Sequence, residues 1–555
     1  MALMSDEYTA LILRGTPISP GLAEGLIHVH RHLTGLIDAA DDTKQLDVEQ
    51  EYSRLDVATA RISVDLAALA TRVEKEIDSR LAGVFGAHQL IVDDRSLRDE
   101  LRREILENLV SASSAVKTVF LRWENRFLLM ESQIARDKGD DIRDISIRLR
   151  NALRGITDHP LEGIPTGSVL AISRLLPSDT IFLADRSASA VLLEHGSGGS
   201  HAALFTREMG LACVSGLPGL LTAVPDGTLA LVDGDSGTVT VRPLQAQHIA
   251  FRKKVHEKEH VLGLARERAR NPAVTRDDVA ISVLANVGCL VDTERAMLNG
   301  AEGVGLYRME RAYIGRVVPP NTDELLHEMH LVLAPAKGRT VCVRLLDIGT
   351  DKPLPFLKFL AETNPSLGRR GIRLLREYPE LLRTTLRAIL ELSKGFDVRV
   401  LVPMVALPED VMTVKDTLTQ MGSEMQISTI PMLGAMIETP AAALSAQEIV
   451  KHVDFLSFGT NDLTQYTFAA DRDNAAVEQY SDDTAEVIFR LLRLTHDDVP
   501  NVPLSICGEL AGRPQHIPRL LQSGIRTLSV APPLIPIVKE AIRGSTVTVI
   551  ADHSQ

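Results

Sequence analysis

Aromatic residues are scarce in this chain: they make up 4% of 555 residues and include one tryptophan, Trp123, whereas 45% of residues are hydrophobic. The core it can bury is therefore aliphatic. Cysteine is sparse as well, and Cys213, Cys289, Cys342 and Cys507 form no CxxC pair, which argues against a zinc site or a disulfide framework and fits a reducing compartment. Basic runs are missing, and the formal charge of −13 offers no footprint for a nucleic-acid backbone. No apolar run approaches the roughly 18 residues a membrane span needs. The first residues, Met-Ala-Leu-Met-Ser-Asp-Glu-Tyr-Thr, have no basic leader segment, so the expectation is a cytoplasmic protein without membrane insertion. A glycine-rich ATP-binding loop is also absent.

What the chain does have is organised in blocks. Its length predicts three or four structural units. Residues 45–155 contain almost no Gly or Pro and place Leu55, Ala58, Ile62, Leu66 and Leu69 at helical spacing. We expect an inserted helical domain over 44–152. Short β-rich pieces flank it, and the turn Asp233-Gly-Asp-Ser-Gly237 between two strand-like runs marks a hairpin. A small α/β domain over 1–43 and 153–243 accommodates both sides. Residues 244–270 are charged and helical, interrupted only by Gly263, so 244–275 reads as a linker helix. Beyond it, eight apolar strand-like runs, at 279–286, 303–307, 340–346, 398–403, 432–437, 455–458, 504–507 and 527–530, alternate with helical stretches. That pattern predicts a (β/α)8 TIM barrel over 276–555, making the whole an α/β multidomain chain.

One loop stands out in the α/β part. His195-Gly-Ser-Gly-Gly-Ser-His201 places His201 after a glycine-rich run and at the start of a predicted helix. Glycine lets backbone N–H groups approach a phosphate, and a helix N-terminus favours negative charge. This suits a phosphorylated histidine. Further charged and polar residues cluster in the barrel region, at or just after the ends of the strand-like runs. They lie in Gly303-Val-Gly-Leu-Tyr-Arg308-Met-Glu310, Val343-Arg344-Leu-Leu-Asp347, Gly434-Ala-Met-Ile-Glu438-Thr-Pro440, Ser457-Phe-Gly-Thr-Asn461-Asp462-Leu-Thr-Gln-Tyr466 with Asp471-Arg472, and Ser505-Ile-Cys507-Gly-Glu509-Leu-Ala-Gly512.

In this order and at these separations the motifs resemble those of the PEP-utilising enzymes, in particular enzyme I of the bacterial phosphotransferase system, a phosphoenolpyruvate-protein phosphotransferase. The resemblance runs from about residue 15 to about residue 543. It implies that Arg308, Arg344, Asn461, Asp462 and Arg472 bind phosphoenolpyruvate, a trianion that suits the paired hydrogen bonds of arginine. Glu438 and Asp462 match the carboxylate ligands of Mg2+. Cys507 matches the acid that protonates the enolate carbon as pyruvate forms, and His201 matches the nucleophile that carries the phosphoryl group to the histidine of a phosphocarrier protein, HPr. The α/β domain would then be a swivelling phosphohistidine domain, the helical insertion its HPr-binding surface and the linker helix its lever. The barrel would carry a homodimer interface, and the pathway served would be sugar uptake.

The chain departs from the family pattern near the histidine. Gly196-Ser197-Gly198-Gly199-Ser200-His201 lacks the usual threonine, and Arg174-Leu175-Leu176-Pro177-Ser178 replaces an Asp-Leu-Thr-Pro-Ser segment. Both losses touch groups that would orient the imidazole. Thr350 stands where glycine is typical, and Gln555 comes without the helical tail the family commonly adds. These differences keep open a second expectation, a degenerate non-catalytic paralogue that binds HPr or senses phosphoenolpyruvate.

Overall fold

Segments of four apolar residues with no polar alternation, such as Val169–Ile172 and Ala190–Leu193, can be strands only if both of their faces are covered. Every residue of both is buried in the computed structural model. The structure describes residues 10–31, 47–76, 79–128, 133–156, 160–186, 188–196, 201–314, 316–349, 354–357, 362–472 and 474–548. The chain divides into two units, one of residues 1–257 with 473–475 and one of 258–472 with 476–555.

The first unit contains an eight-stranded sheet. Its strands are β1 (Leu11–Arg14), β2 (Thr16–Ser19), β3 (Leu22–His30), β4 (Val169–Ile172), β5 (Ala190–Leu193), β6 (Ala212–Ser215), β7 (Leu229–Asp233) and β8 (Thr238–Val241), in the order β1-β8-β7-β3-β4-β5-β6-β2. β3, β4, β5 and β6 run parallel, and the predicted hairpin is β7–β8. Two apolar clusters pack on the sheet, one around Val169, Ala171 and Leu192 and the other around Leu170, Ile172 and Val191, as alternation along neighbouring strands requires.

Between β3 and its neighbour β4 the chain leaves the sheet and returns after five helices: α1 (Val48–Glu76), α2 (Ser79–Val92), α3 (Arg95–Asn108), α4 (Ala112–Leu128) and α5 (Gln133–Leu153). In α1 the buried stripe is Leu55, Ala58, Ile62, Leu66 and Val73, the spacing of one helix face. The helices share a core that also takes in Phe205, from the helix His201–Glu208 that follows β5. Burying one such ring contributes about 1.5–3 kcal/mol, enough to fasten that short helix to the bundle. On its other side Arg207 Nε donates to the Ile18 carbonyl at 2.9 Å, and Ser19 Oγ to the Thr206 carbonyl at 3.3 Å.

The helix Gln245–Glu267 follows β8. Its first turns are fixed to the sheet by Glu24, which accepts from Arg252 Nε at 3.0 Å and lies 2.8 Å from His248 Nε2, and by Asp233, which pairs with Lys254 at 2.6 Å.

In the second unit β9 (Ala273–Val274) pairs antiparallel with β10 (Ala280–Val287). Seven further strands follow: β11 (Val304–Arg308), β12 (Thr340–Arg344), β13 (Asp397–Val402), β14 (Met432–Ile437), β15 (Phe455–Phe458), β16 (Leu504–Ile506) and β17 (Thr527–Val530). β10 to β17 are parallel in sequence order and β17 pairs back with β10, so the sheet closes into the predicted eight-stranded barrel. Leu306, Cys342, Leu401, Met436, Phe455 and Cys507 form a buried apolar cluster of their own, separate from the larger core made with the surrounding helices. Lys539, 1% exposed, donates to the carbonyls of Ala269 and Gly300 at 3.0 and 2.7 Å and pairs with Glu302. Three acceptors satisfy an ammonium group that burial would otherwise make costly.

Candidate active site

Arg308 and Arg344 are the last residues of β11 and β12 and partners in the parallel ladder. They therefore stand side by side at the C-terminal rim, where barrels gather their loops. The Arg344 side chain is 12% exposed. Its Nη2 donates to Glu310 at 2.8 Å and its Nη1 to Asp347 at 3.0 Å. Burial pulls the Arg344 pKa down, but the carboxylates of Glu310, Asp347 and Glu438 outweigh it and hold the guanidinium above its ordinary value.

Arg370 lies just before the helix Ile372–Glu377 and connects more of the rim than any residue singled out from the sequence. Nε and Nη2 donate to Asp347 at 3.2 and 2.9 Å, and Nη1 donates to Asp462 at 2.9 Å and to the Tyr466 hydroxyl at 3.1 Å. The Tyr466 hydroxyl in turn donates to the Ser366 carbonyl. Burial again opposes the charge of Arg370, and Asp347 and Asp462 more than restore it.

Glu438 follows β14 and is 1% exposed. One of its oxygens accepts from the backbone N–H of Met404, a buried residue at φ 56°, in the left-handed region that non-glycine residues seldom occupy. Such a conformation persists only where its surroundings fix it, and here it delivers a donor to a buried carboxylate. Gly459 sits against the other oxygen: a Cβ there would lie 2.8 Å from Glu438 Oε2. Burial first, then the charges of Asp462 and Asp347, push the Glu438 carboxyl up to about 8.

Asp462 is in the first turn of the helix Thr460–Phe468, where the helix dipole favours an anion, and it is 7% exposed. Arg472 Nη1 lies 3.7 Å from its second oxygen. Asn461 Oδ1 accepts from the Glu509 N–H at 2.9 Å, tying this helix start to the loop after β16. Cys507 follows β16 and is 4% exposed. Burial raises its thiol pKa, with the Ser457 hydroxyl, 3.7 Å from Sγ, pulling the other way. The sulfur therefore holds its proton at neutral pH.

Arg308, Arg344, Glu438, Asn461, Asp462, Arg472 and Cys507 thus all fall at or after the C-terminal ends of barrel strands. The residues missed are Arg370, Asp347, Glu310 and Tyr466. Glu310, Asp347 and Tyr466 lie inside the motifs already quoted, and their acidic or phenolic side chains were the available signal. Arg370 sits in Gly368-Arg369-Arg370-Gly371, a doublet of cations between glycines.

Two buried carboxylates, Glu438 and Asp462, stand together at this rim and suit a shared cation. Among the described residues no three His, Cys, Asp or Glu side chains converge as a metal cage. Glu438 and Asp462 fit Mg2+, a hard ion that takes one or two carboxylates and fills its remaining positions with water and substrate oxygens.

His201 is the first residue of its helix, in the other unit. Its side chain and residues 197–200 lie outside the described residues, as does Thr350. The segment that replaces the family's acid and hydroxyl is described. Arg174 pairs with Asp140 at 3.4 Å, and Ser178 donates from N and Oγ to Asp144 at 3.0 and 2.6 Å. Asp179, wholly buried, accepts from Leu176 N at 2.8 Å, and burial lifts its pKa well above the usual carboxylate range. The two positions changed in this chain thus anchor the segment to α5 and to itself.

Three family descriptions match the chain in order: PEP-utilising enzyme, N-terminal, over 14–138; PEP-utilising enzyme, mobile domain, over 164–237; and PEP-utilising enzyme, PEP-binding domain, over 264–547. A phosphoenolpyruvate-protein phosphotransferase of Geobacillus stearothermophilus is 33% identical over 502 residues, covering 89% of this chain and 86% of the relative. Proteins of the same name from Haloferax volcanii and Bacillus subtilis are 34% and 32% identical over 501 and 497 residues, covering 88% and 87% of this chain and 86% of each relative.

Proposed function

The chain belongs to the PEP-utilising enzyme family, among the phosphoenolpyruvate-protein phosphotransferases, and from that premise we propose that it moves the phosphoryl group of phosphoenolpyruvate onto His201 and then to the histidine of an HPr-type carrier. The observation that carries this reading is the buried set of Glu438, Asp462, Arg344 and Arg370 beside a protonated Cys507 at the barrel rim. It offers fixed cations for a trianion, a two-carboxylate seat for Mg2+ and a proton donor, which together are what cleavage of an enol phosphate needs.

Within this reading Arg308, Arg344 and Arg472 hold the carboxylate and phosphate of the substrate, and Asn461 supplies a hydrogen bond. Glu438 and Asp462 hold Mg2+, which when bound draws negative charge from the substrate oxygens. A nitrogen of His201 attacks phosphorus as the bond to the enol oxygen breaks. The Arg344 guanidinium is already held in place by Glu310 and Asp347, so it needs little reorganisation as charge shifts. Cys507 then gives its proton to the enolate carbon, pyruvate leaves and the thiolate regains a proton from water.

The α/β domain over 1–43 and 153–243 carries the phosphohistidine in this scheme. The helical insertion over 44–152 receives HPr, and the helix following β8, within 244–275, links the two chemistries. A homodimer through the barrel, a role in sugar uptake and a cytoplasmic setting belong to the same proposal. No described helix is long and apolar enough to cross a membrane. The direct test is incubation with labelled phosphoenolpyruvate and Mg2+. Acid-labile, base-stable label on the protein is the expected result, and its absence at any substrate concentration favours the non-catalytic alternative.

A further inference from the structure

Cysteine has a single rotatable bond between its backbone and its sulfur, so where the backbone of residue 507 is held decides where the thiol stands. Strand β16 ends at Ile506, so Cys507 is the first residue beyond it. The N–H of Cys507 donates to the Phe458 carbonyl, at the end of β15, at 3.0 Å. Its carbonyl is taken by a side chain from further round the barrel: Asn286 Nδ2, near the end of β10, donates to it at 3.0 Å. The Asn286 amide is held in turn, since its Oδ1 accepts from Ser529 Oγ, in β17, at 2.7 Å. Room for this chain is left by Gly305 in β11, where a Cβ would lie 2.6 Å from Ser529 Cβ.

We propose that Asn286, fixed by Ser529, is a positioning residue for the Cys507 thiol in the proton transfer that makes pyruvate. The proposal rests on the reading of Cys507 as the acid. An amide is what this place requires, because it must accept from a hydroxyl on one side and donate to a carbonyl on the other. Aspartate offers no donor and sets its oxygen against the carbonyl, while alanine leaves the carbonyl and the hydroxyl without these partners. In the step served, the enolate carbon takes the proton of Sγ with its own electron pair. The C–H bond forms as the S–H bond breaks, the enol oxygen becomes the ketone, and sulfur keeps the electron pair until water reprotonates it. Proton transfer of this kind needs the reacting atoms about 3–3.5 Å apart, and a displacement of about 1 Å costs about 100-fold. Binding of phosphoenolpyruvate and attack by His201 do not use that thiol.

The test separates the two steps in the full-length protein. The phosphorylated enzyme is incubated with pyruvate and Mg2+ in D2O, and deuterium entry into the pyruvate methyl group is followed by NMR. In parallel, labelling of the protein from phosphoenolpyruvate is timed in a single turnover. Asn286→Ala and Asn286→Asp are expected to slow deuterium entry about 10–100-fold, with the KM for phosphoenolpyruvate and the single-turnover labelling rate close to native. Ser529→Ala, which keeps the amide and removes only its anchor, should slow entry by less. Native exchange rates in these variants overturn the proposal, and so does equal slowing of exchange and labelling, which a merely structural role predicts. Should Asn286→Ala not fold, Ser529→Ala decides: a native exchange rate there overturns the proposal. Cys507→Ala tests the underlying reading separately, because undiminished exchange in that variant removes the acid itself, whatever the Asn286 variants do.

Discussion

Arg370 reaches Asp462 with Nη1 at 2.9 Å while its Nε and Nη2 hold Asp347, so one guanidinium compensates two carboxylates on different barrel loops. The Asp347 and Asp462 side chains are 3% and 10% exposed. Removing one partner of a buried ion pair costs about 3–5 kcal/mol, because the remaining charge is stranded. Asp347 keeps Arg344 and Asp462 keeps Arg472 nearby, so Arg370→Ala should lower the unfolding free energy of the barrel by less than that, about 1.5–3 kcal/mol, in urea titrations. Arg370→Lys, which restores the charge without the fork, should fall between it and the native protein. An unchanged unfolding midpoint in Arg370→Ala contradicts the role assigned to this network.

The raised Glu438 carboxyl gives Mg2+ binding a pH dependence of definite sign. With its pKa pushed up to about 8 by burial and by Asp462 and Asp347, Glu438 holds a proton at neutral pH in the metal-free protein. The metal takes the carboxylate, so binding releases that proton. Affinity should rise with pH by up to about tenfold per unit below 8 and level off above it. Titration calorimetry in buffers of different ionisation heat reads the released proton directly. Glu438→Gln should lose both the proton release and the slope, and a native protein whose Mg2+ affinity is flat between pH 6 and 8 contradicts the assignment.

The barrel was legible in the sequence because eight short apolar runs alternate with helical stretches, and several of them end in or lead straight to a polar residue, as at Arg308, Arg344, Glu438 and Cys507, although their spacing along the chain is uneven. β6 was harder to read: Ala212–Ser215 is four residues with a cysteine among them, and its strand character comes from its place between β5 and β2. The site divides in the same way. Arg344, Glu438 and Cys507 announce themselves by following strands, whereas Arg370 follows a loop and gains its meaning from Asp347 and Asp462, which are distant from it in sequence. Asn286 reads as an ordinary strand-end polar residue until β17 closes on β10 and brings Ser529 beside it.

The substrate and metal assignments predict a shared loss of catalysis. Glu438→Gln and Asp462→Asn each remove a charged oxygen, and Arg344→Lys replaces paired hydrogen bonds with a point charge. Each should lower the rate of protein labelling from phosphoenolpyruvate by about 100-fold or more, the scale for losing one preorganised electrostatic group. Normal labelling at ordinary magnesium in either carboxylate variant removes that residue from the metal site.

His201→Ala should abolish phosphoprotein formation and leave phosphoenolpyruvate binding close to native, because every residue assigned to substrate lies in the second unit. Label remaining on the variant sinks the assignment, and His195 becomes the next residue to replace.

The division of the chain gives the last prediction. The first unit holds its own cores, in the helices and on both faces of the sheet, and the side chains that fix the start of the long helix, His248, Arg252 and Lys254, all precede the boundary after Glu257. A fragment of residues 1 to 257 therefore keeps the contacts that stabilise it and loses no part of those cores, so it should fold alone with a cooperative unfolding transition. It carries His201 and the helical insertion but none of Arg308, Arg344, Glu438, Asp462 or Cys507. Phosphorylated HPr should pass label to it, and phosphoenolpyruvate should not. If the fragment takes label directly from phosphoenolpyruvate, substrate binding cannot be confined to the barrel. If it folds and binds no HPr, the helical insertion is not the carrier's docking surface and the non-catalytic alternative gains support.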